Sequence, residues 1–152
     1  MIVEHANNRP IGIRVGATTW NEFFGQEETL ITAGADADLW NLSDTTKLGV
    51  YFDVAGVFED HTPYDYYGGG LDLRQYFANR EAFLTPYVGV GVGYYGGLLH
   101  DEFNTNWNKV GGKAFIGLEL RCGAFIEGNY TYLGKHDNRD LSRFGVSIGY
   151  RF

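Results

Sequence analysis

The chain has 152 residues, enough for one domain with a sizeable core, and its formal charge of −7 (sequence pI about 4.9) argues against a nucleic-acid partner, because phosphate binding needs clustered Lys and Arg. With 22 glycines, 11 tyrosines, 11 phenylalanines and only 3 prolines, it is rich in strand formers and flexible backbone. No stretch approaches the roughly 18 to 20 uninterrupted apolar residues of a membrane helix.

The N-terminal stretch MIVEHANNRP lacks a basic segment followed by an apolar run, so an exported form is expected to have had its signal removed already. Read with a period of two, residues 1–152 form a single domain of eight segments of about ten residues, each with one apolar parity. That parity runs Ile11, Ile13, Val15, Ala17; then Ile31, Ala33, Ala35, Ala37, Leu39; then Leu48, Val50, Phe52, Val54, Gly56, Phe58. The fourth and fifth segments give Tyr67, Gly69, Leu71, Leu73 and Leu84, Pro86, Val88, Val90, Val92, Tyr94. The last three give Ala114, Ile116, Leu118, Leu120; Ala124, Ile126, Gly128, Tyr130, Tyr132; and Phe144, Val146, Ile148, Tyr150, Phe152. None of these positions is charged.

The opposite parity holds Arg14, Asp36, Asp38, Asp53, Glu59, Asp72, Arg74, Lys113, Glu119, Glu127, Arg143 and Arg151, interleaved with glycines. The stretch TPYVGVGVGYYGG at 85–97 sets the two faces side by side, valine on one and glycine on the other. In a soluble barrel the glycine rows would face water, each costing about 0.5–1 kcal/mol relative to alanine with no packing in return. Turned inward, they leave room in a narrow eight-stranded lumen for large charged side chains, and the valines meet hydrocarbon. The expected fold class is therefore all-β: an eight-stranded antiparallel up-and-down transmembrane β-barrel.

Connector lengths alternate as such a barrel requires. NEFFGQEE, DHTPYD, GGLLHDEFNTNW and GKHDNRD follow the odd-numbered segments, and NLSDTT, ANREA and RC follow the even ones. Both termini are expected in the periplasm. Phe58, Tyr67, Tyr94, Tyr132 and Phe144 toward the long connectors, and Phe77, Tyr150 and Phe152 toward the short ones, are where interfacial girdles should fall.

LTPYVGVGVGYY, GKAFIGLELRCGAFIEGNYTY and the terminal FGVSIGYRF resemble the small outer-membrane barrels of the OmpA transmembrane-domain, OmpX and opacity-protein group, over essentially the whole chain. The resemblance implies location in the bacterial outer membrane among lipid and lipopolysaccharide, as a monomer. It also implies that the alternating end Phe144, Val146, Ile148, Tyr150 and Phe152 is the signal read by the outer-membrane assembly machinery. The sequence stops at Phe152, without the peptidoglycan-binding domain of OmpA-type proteins, so no tether to the cell wall is expected.

Inside such a barrel the lumenal charges are expected to pair into a plug, with any function in adhesion, recognition or membrane integrity carried by extracellular loops and a ligand bound there. A small ion-conducting pore is the first alternative. A lipid A-modifying enzyme is the second; of the three serines, Ser43, Ser142 and Ser147, only Ser142 lies near His136 and Asp140 at the outer rim, and the His-x-Ser-Asn pattern of the deacylases is absent. No enzyme activity and no cofactor are expected. His61, His100 and His136 each sit beside an aspartate in a different long connector, a loose arrangement for a metal. Glu22, Glu27, Glu28, Asp65 and Glu102 are placed to share divalent cations with lipopolysaccharide. Cys122 is the single cysteine and has no disulfide partner.

Overall fold

In the computed structural model the described residues are 9–20, 29–56, 64–78, 82–99, 105–133, 135–136, 139–140 and 142–152. The β-branched and aromatic alternation forms eight long strands: β1 (Ile11–Trp20), β2 (Thr29–Asn41), β3 (Thr46–Gly56), β4 (Tyr64–Tyr76), β5 (Leu84–Leu99), β6 (Thr105–Leu120), β7 (Ala124–Tyr132) and β8 (Arg143–Arg151). Each pairs antiparallel with its sequence neighbours, and β8 closes on β1 from Gly12↔Arg151 to Trp20↔Arg143. Closure leaves no open sheet edge, so every strand finds backbone partners on both sides.

Burial is inverted relative to a soluble protein. Val90, Val92 and Ile148 are 58%, 64% and 59% exposed, whereas Arg74, Glu119 and Arg151 are at most 1% exposed. The valines of the 85–97 stretch thus stand on the outside, and Gly89, Gly91 and Gly93 line the lumen. Because water would penalise the apolar outside while the charges are enclosed within, this arrangement calls for lipid, or detergent in its place, around it. Exposed Tyr67, Tyr94, Tyr132 and Phe144 ring the end opposite the termini, and Trp40, Phe77, Phe83, Tyr150 and Phe152 ring the terminal end. Phe58 lies outside the described residues.

Short turns close the terminal end. In the β2–β3 turn the Ser43 hydroxyl accepts hydrogen bonds from the backbone N–H groups of Thr45 (3.2 Å) and Thr46 (3.1 Å). The β6–β7 turn needs Gly123, whose φ of 107° is in the left-handed region that side chains disfavour.

Three details depart from the alternation. At the end of β2 the register shifts between Asp38 and Trp40, a bulge at Leu39 that leaves both Leu39 and Trp40 facing outward. The hairpin of β5 and β6 runs well into the expected connector at 96–107, pairing as far as Leu99↔Thr105, because backbone hydrogen bonding does not stop at the lipid boundary. Its strands have 16 residues against 9 in β7, so the hairpin projects beyond the body of the barrel. For the same reason Asp65, expected in a loop, lies in β4 opposite Leu98. The expected connector at 134–140 contains a short antiparallel ladder, with Lys135↔Asp140 and His136↔Arg139.

Candidate functional site

Glycines on the middle strand of three let side chains from the two outer strands meet inside the lumen. Gly12 lies between Arg151 and Asp36 in the register, and Arg151 Nη1 reaches Asp36 Oδ1 across it at 2.8 Å. Gly34 lies between Arg14 and Asp53, which pair over it at 2.6 Å. A Cβ on Gly34 would strike the Asp53 carboxylate and come within 3.0 Å of Arg14 Nε. Gly117 lies between Tyr87 and Glu127, and there the Tyr87 hydroxyl donates to Glu127 Oε2 at 2.9 Å. Gly89 lies between Arg74 and Phe115, with the Arg74 guanidinium 5.5 Å from the Phe115 ring centroid. Gly49 lies between Asp38 and Asp72, and Arg74 contacts both, at 3.3 and 3.4 Å. These five glycines are therefore crossing points, and a side chain at any of them would crowd the groups that meet there.

Asp36 is the hub. Arg14 and Arg151 each approach it to 2.8 Å and Arg74 to 3.5 Å. Arg151 also contacts Glu119 at 3.2 Å, and Lys113 contacts Asp53 at 3.2 Å. Below and around the ion pairs, Tyr76, Tyr87, Phe115 and Phe125 form one buried aromatic cluster. Arg74 lies over the Tyr87 ring, Arg151 over Phe125 and Lys113 over Tyr51, whose hydroxyl bonds to that of Tyr95. An isolated buried charge costs several kcal/mol, so this mutual pairing is what allows so many ions inside a narrow barrel.

Of the charges expected in the lumen, Arg14, Asp36, Asp38, Asp53, Asp72, Arg74, Lys113, Glu119, Glu127, Arg143 and Arg151 all lie on its wall, and Glu59 lies outside the described residues. The buried Lys47, which donates to Asn41 Oδ1 at 2.8 Å, was missed, as were the lumenal Tyr51, Tyr76, Tyr87, Tyr95, Phe115 and Phe125. Their parity along each strand was the signal available for them. Six cations and six carboxylates result, so the described lumen is formally neutral.

The serines are placed in structural positions. Ser43 caps its turn, Ser147 is buried on the lumenal face and Ser142 is fully buried beside the start of β8. Asp140 and His136 lie in the short ladder, and His61 and His100 lie outside the described residues, as do Glu22, Glu27, Glu28 and Glu102. Among the described residues no group of three or more His, Cys, Asp or Glu is arranged to hold a metal.

Solved structures share this architecture. Neisserial surface protein A superposes with a TM-score of 0.72 at 14% identity, covering 93% of this chain and 96% of that one. This is the fold of the small outer-membrane β-barrels. The outer-membrane enzyme PagL matches with a TM-score of 0.59 at 16% identity over 93% of this chain and 97% of its own. Ail, the attachment invasion locus protein of Yersinia pestis, matches with 0.56 at 16% identity over 94% of this chain and 97% of its own, and has also been solved with the heparin analogue sucrose octasulfate. No family model and no curated protein matches the sequence. The outer-membrane barrel fold thus hosts both attachment and catalysis, and only the residues of this barrel discriminate between them.

Proposed function

We propose that this outer-membrane barrel is a monomeric, non-catalytic recognition protein: a salt-bridged lumen makes the body a plug, and the long connectors carry the contact with other molecules. The observation that carries the reading is the pairing of lumenal charges with one another over the glycine crossings, Arg151 with Asp36 over Gly12 and Arg14 with Asp53 over Gly34. A conducting lumen would leave its charges facing water. Eight strands give a bore just wide enough for side chains to fill, and here they do so with aromatic rings and ion pairs. Ser142, the only serine near a histidine and an acid in sequence, is fully buried, which leaves it no access to a substrate.

The short turns and both termini face the periplasm. The outward row Phe144, Val146, Ile148, Tyr150 and Phe152, all 46–59% exposed, is the signal for the assembly machinery. At the opposite end, connectors 21–28, 57–63 and 100–104 carry Glu22, Glu27, Glu28, Glu59, Asp60, Asp101 and Glu102 and neither Lys nor Arg. This sign of charge favours a cationic partner, or divalent cations shared with lipopolysaccharide phosphates, over a sulfated ligand of the kind seen on Ail.

Single-channel recording in planar bilayers tests the plug, using protein refolded in detergent and shown folded by its shifted mobility on an unboiled gel. Silence from folded protein is the expected result. Discrete conductance steps would replace the plug with a pore. For the connectors, neutralising Glu22, Glu27, Glu28 and Glu102 together should abolish calcium-dependent binding to lipopolysaccharide vesicles, and unchanged binding would remove that partner.

A further inference from the structure

The outward face of the barrel is not evenly ridged. On β7 the outward row is Ala124, Ile126 and Gly128, so two of its three side chains are small or absent, and a Cβ added at Gly128 would meet nothing within 4 Å. The neighbouring rows are bulky. Ile148 and Leu118 flank Ile126 in the register, and Tyr150 stands opposite Ala124 with Ile13 beyond it. The result is an apolar groove of about 570 Å³ bounded by Ile13, Val15, Leu118, Leu120, Ile148 and Tyr150. That volume is within the range of about 300–1,000 Å³ typical of ligand sites.

Two arginines stand at the terminal end of this groove. Leu120 and Ala124, which line it, are the residues on either side of the β6–β7 turn, and Arg121 is exposed in that turn. Arg9 reaches the same turn from the start of the chain: its Nη2 donates to the Arg121 carbonyl, and a Cβ on Gly123 would come within 3.4 Å of its Cδ. Arg9 Nη1 is buried and has no hydrogen-bond partner among the described residues. Neither guanidinium pairs with a carboxylate among those residues, although the chain carries 19 acidic residues against 12 basic ones. The β4–β5 turn adjoins through the hydrogen bond from Arg121 N–H to the Phe83 carbonyl; its Arg80 and Glu81, outside the described residues, cancel in formal charge.

We propose that the groove and the two arginines form a binding site for one anionic phospholipid, with an acyl chain lying along β7 and the headgroup phosphate between Arg9 and Arg121. An acyl chain fills a recess that the neighbouring side chains leave open, and the phosphate supplies the acceptor that Arg9 Nη1 lacks. A second copy of the chain fits less well, because a two-fold contact through the same face would set Arg9 and Arg121 against their own images. The site is independent of the connectors, and of the proposed orientation except for which leaflet supplies the lipid.

The test uses the whole chain refolded in detergent, with dioleoylphosphatidylglycerol and dioleoylphosphatidylcholine offered in equal amounts and the retained lipid counted by native mass spectrometry. One phosphatidylglycerol per barrel should be retained in preference to phosphatidylcholine. Arg9→Gln combined with Arg121→Gln should lower that preference about thirtyfold, from a factor of about five for each arginine near a headgroup. Ala124→Phe keeps both charges, fills the recess beside Tyr150 and should weaken retention of phosphatidylglycerol; it carries the test if the arginine pair does not fold. Val54→Phe, on the outer face of β3 across the barrel, should leave retention unchanged. Equal retention of the two lipids by the wild type, or an undiminished preference in either the arginine pair or Ala124→Phe, would overturn the site. Binding of inorganic phosphate in place of the lipid, or a dimer mass in place of a lipid adduct, would overturn it as well.

Discussion

Asp36→Asn isolates the contribution of the lumenal charges, because it removes one negative charge at almost constant volume. Asp36 touches three guanidiniums, two at 2.8 Å and one at 3.5 Å, and its side chain is 1% exposed. Breaking a buried ion pair by removing one partner costs about 3–5 kcal/mol, since the charge left behind has neither water nor counter-ion. Here each guanidinium keeps a second carboxylate: Asp53 for Arg14, Glu119 for Arg151, and Asp38 with Asp72 for Arg74. The expected loss is therefore at the low end, about 3 kcal/mol, a large share of the roughly 5–15 kcal/mol that holds a typical domain. It is read from urea titrations of folding into lipid vesicles, followed by tryptophan fluorescence and gel mobility, with exposed Asp44→Asn as a control expected within about 0.5 kcal/mol of wild type. Combining Asp36→Asn with Arg151→Met should recover part of the loss, because the second change removes a cation the first left under-compensated. A loss below about 1 kcal/mol for Asp36→Asn in a correctly folded barrel would mean that water, not pairing, solvates the lumen, and would refute the plug.

Glycines on the two faces should respond oppositely to alanine. Gly34→Ala drives a methyl into the Arg14–Asp53 pair and should cost about 1–3 kcal/mol, whereas an added Cβ at outward Gly128 meets nothing within 4 Å and should leave stability unchanged or raise it by up to about 1 kcal/mol in the same titration. Gly123→Ala forces a side chain into a φ of 107° and toward the Arg151 carbonyl, so a loss of about 1–2 kcal/mol is expected, with slower folding into vesicles. Val90→Lys, on the outer face of β5, should cost about 2–4 kcal/mol in a bilayer; an unchanged or improved stability would place that face in water and overturn the membrane reading. Deleting Phe152 should lower the yield of assembled barrel in outer-membrane fractions while leaving spontaneous folding in detergent nearly intact, and equal yields would remove its role as a signal.

Residue order alone determined the strand count, the two faces of each strand and the alternation of short and long connectors. Side chains in a strand point alternately to opposite sides, so a period of two carries the inside–outside division locally, and the pairing of charge with glycine on one parity was sufficient to turn the valines of 85–97 outward. The bulge at Leu39 and the long reach of β5 and β6 were not visible in this way, because each depends on where a neighbouring strand stops pairing. The same limit applies inside the lumen. Composition supplied the balanced charges, but which cation meets which carboxylate and which glycine lies between them are consequences of the register between strands. Arg14 is 39 residues from Asp53 and meets it through the successive pairings of β1 with β2 and β2 with β3, whereas Arg151 is 115 from Asp36 and reaches it only because β8 closes on β1; no local pattern in the sequence contains either distance.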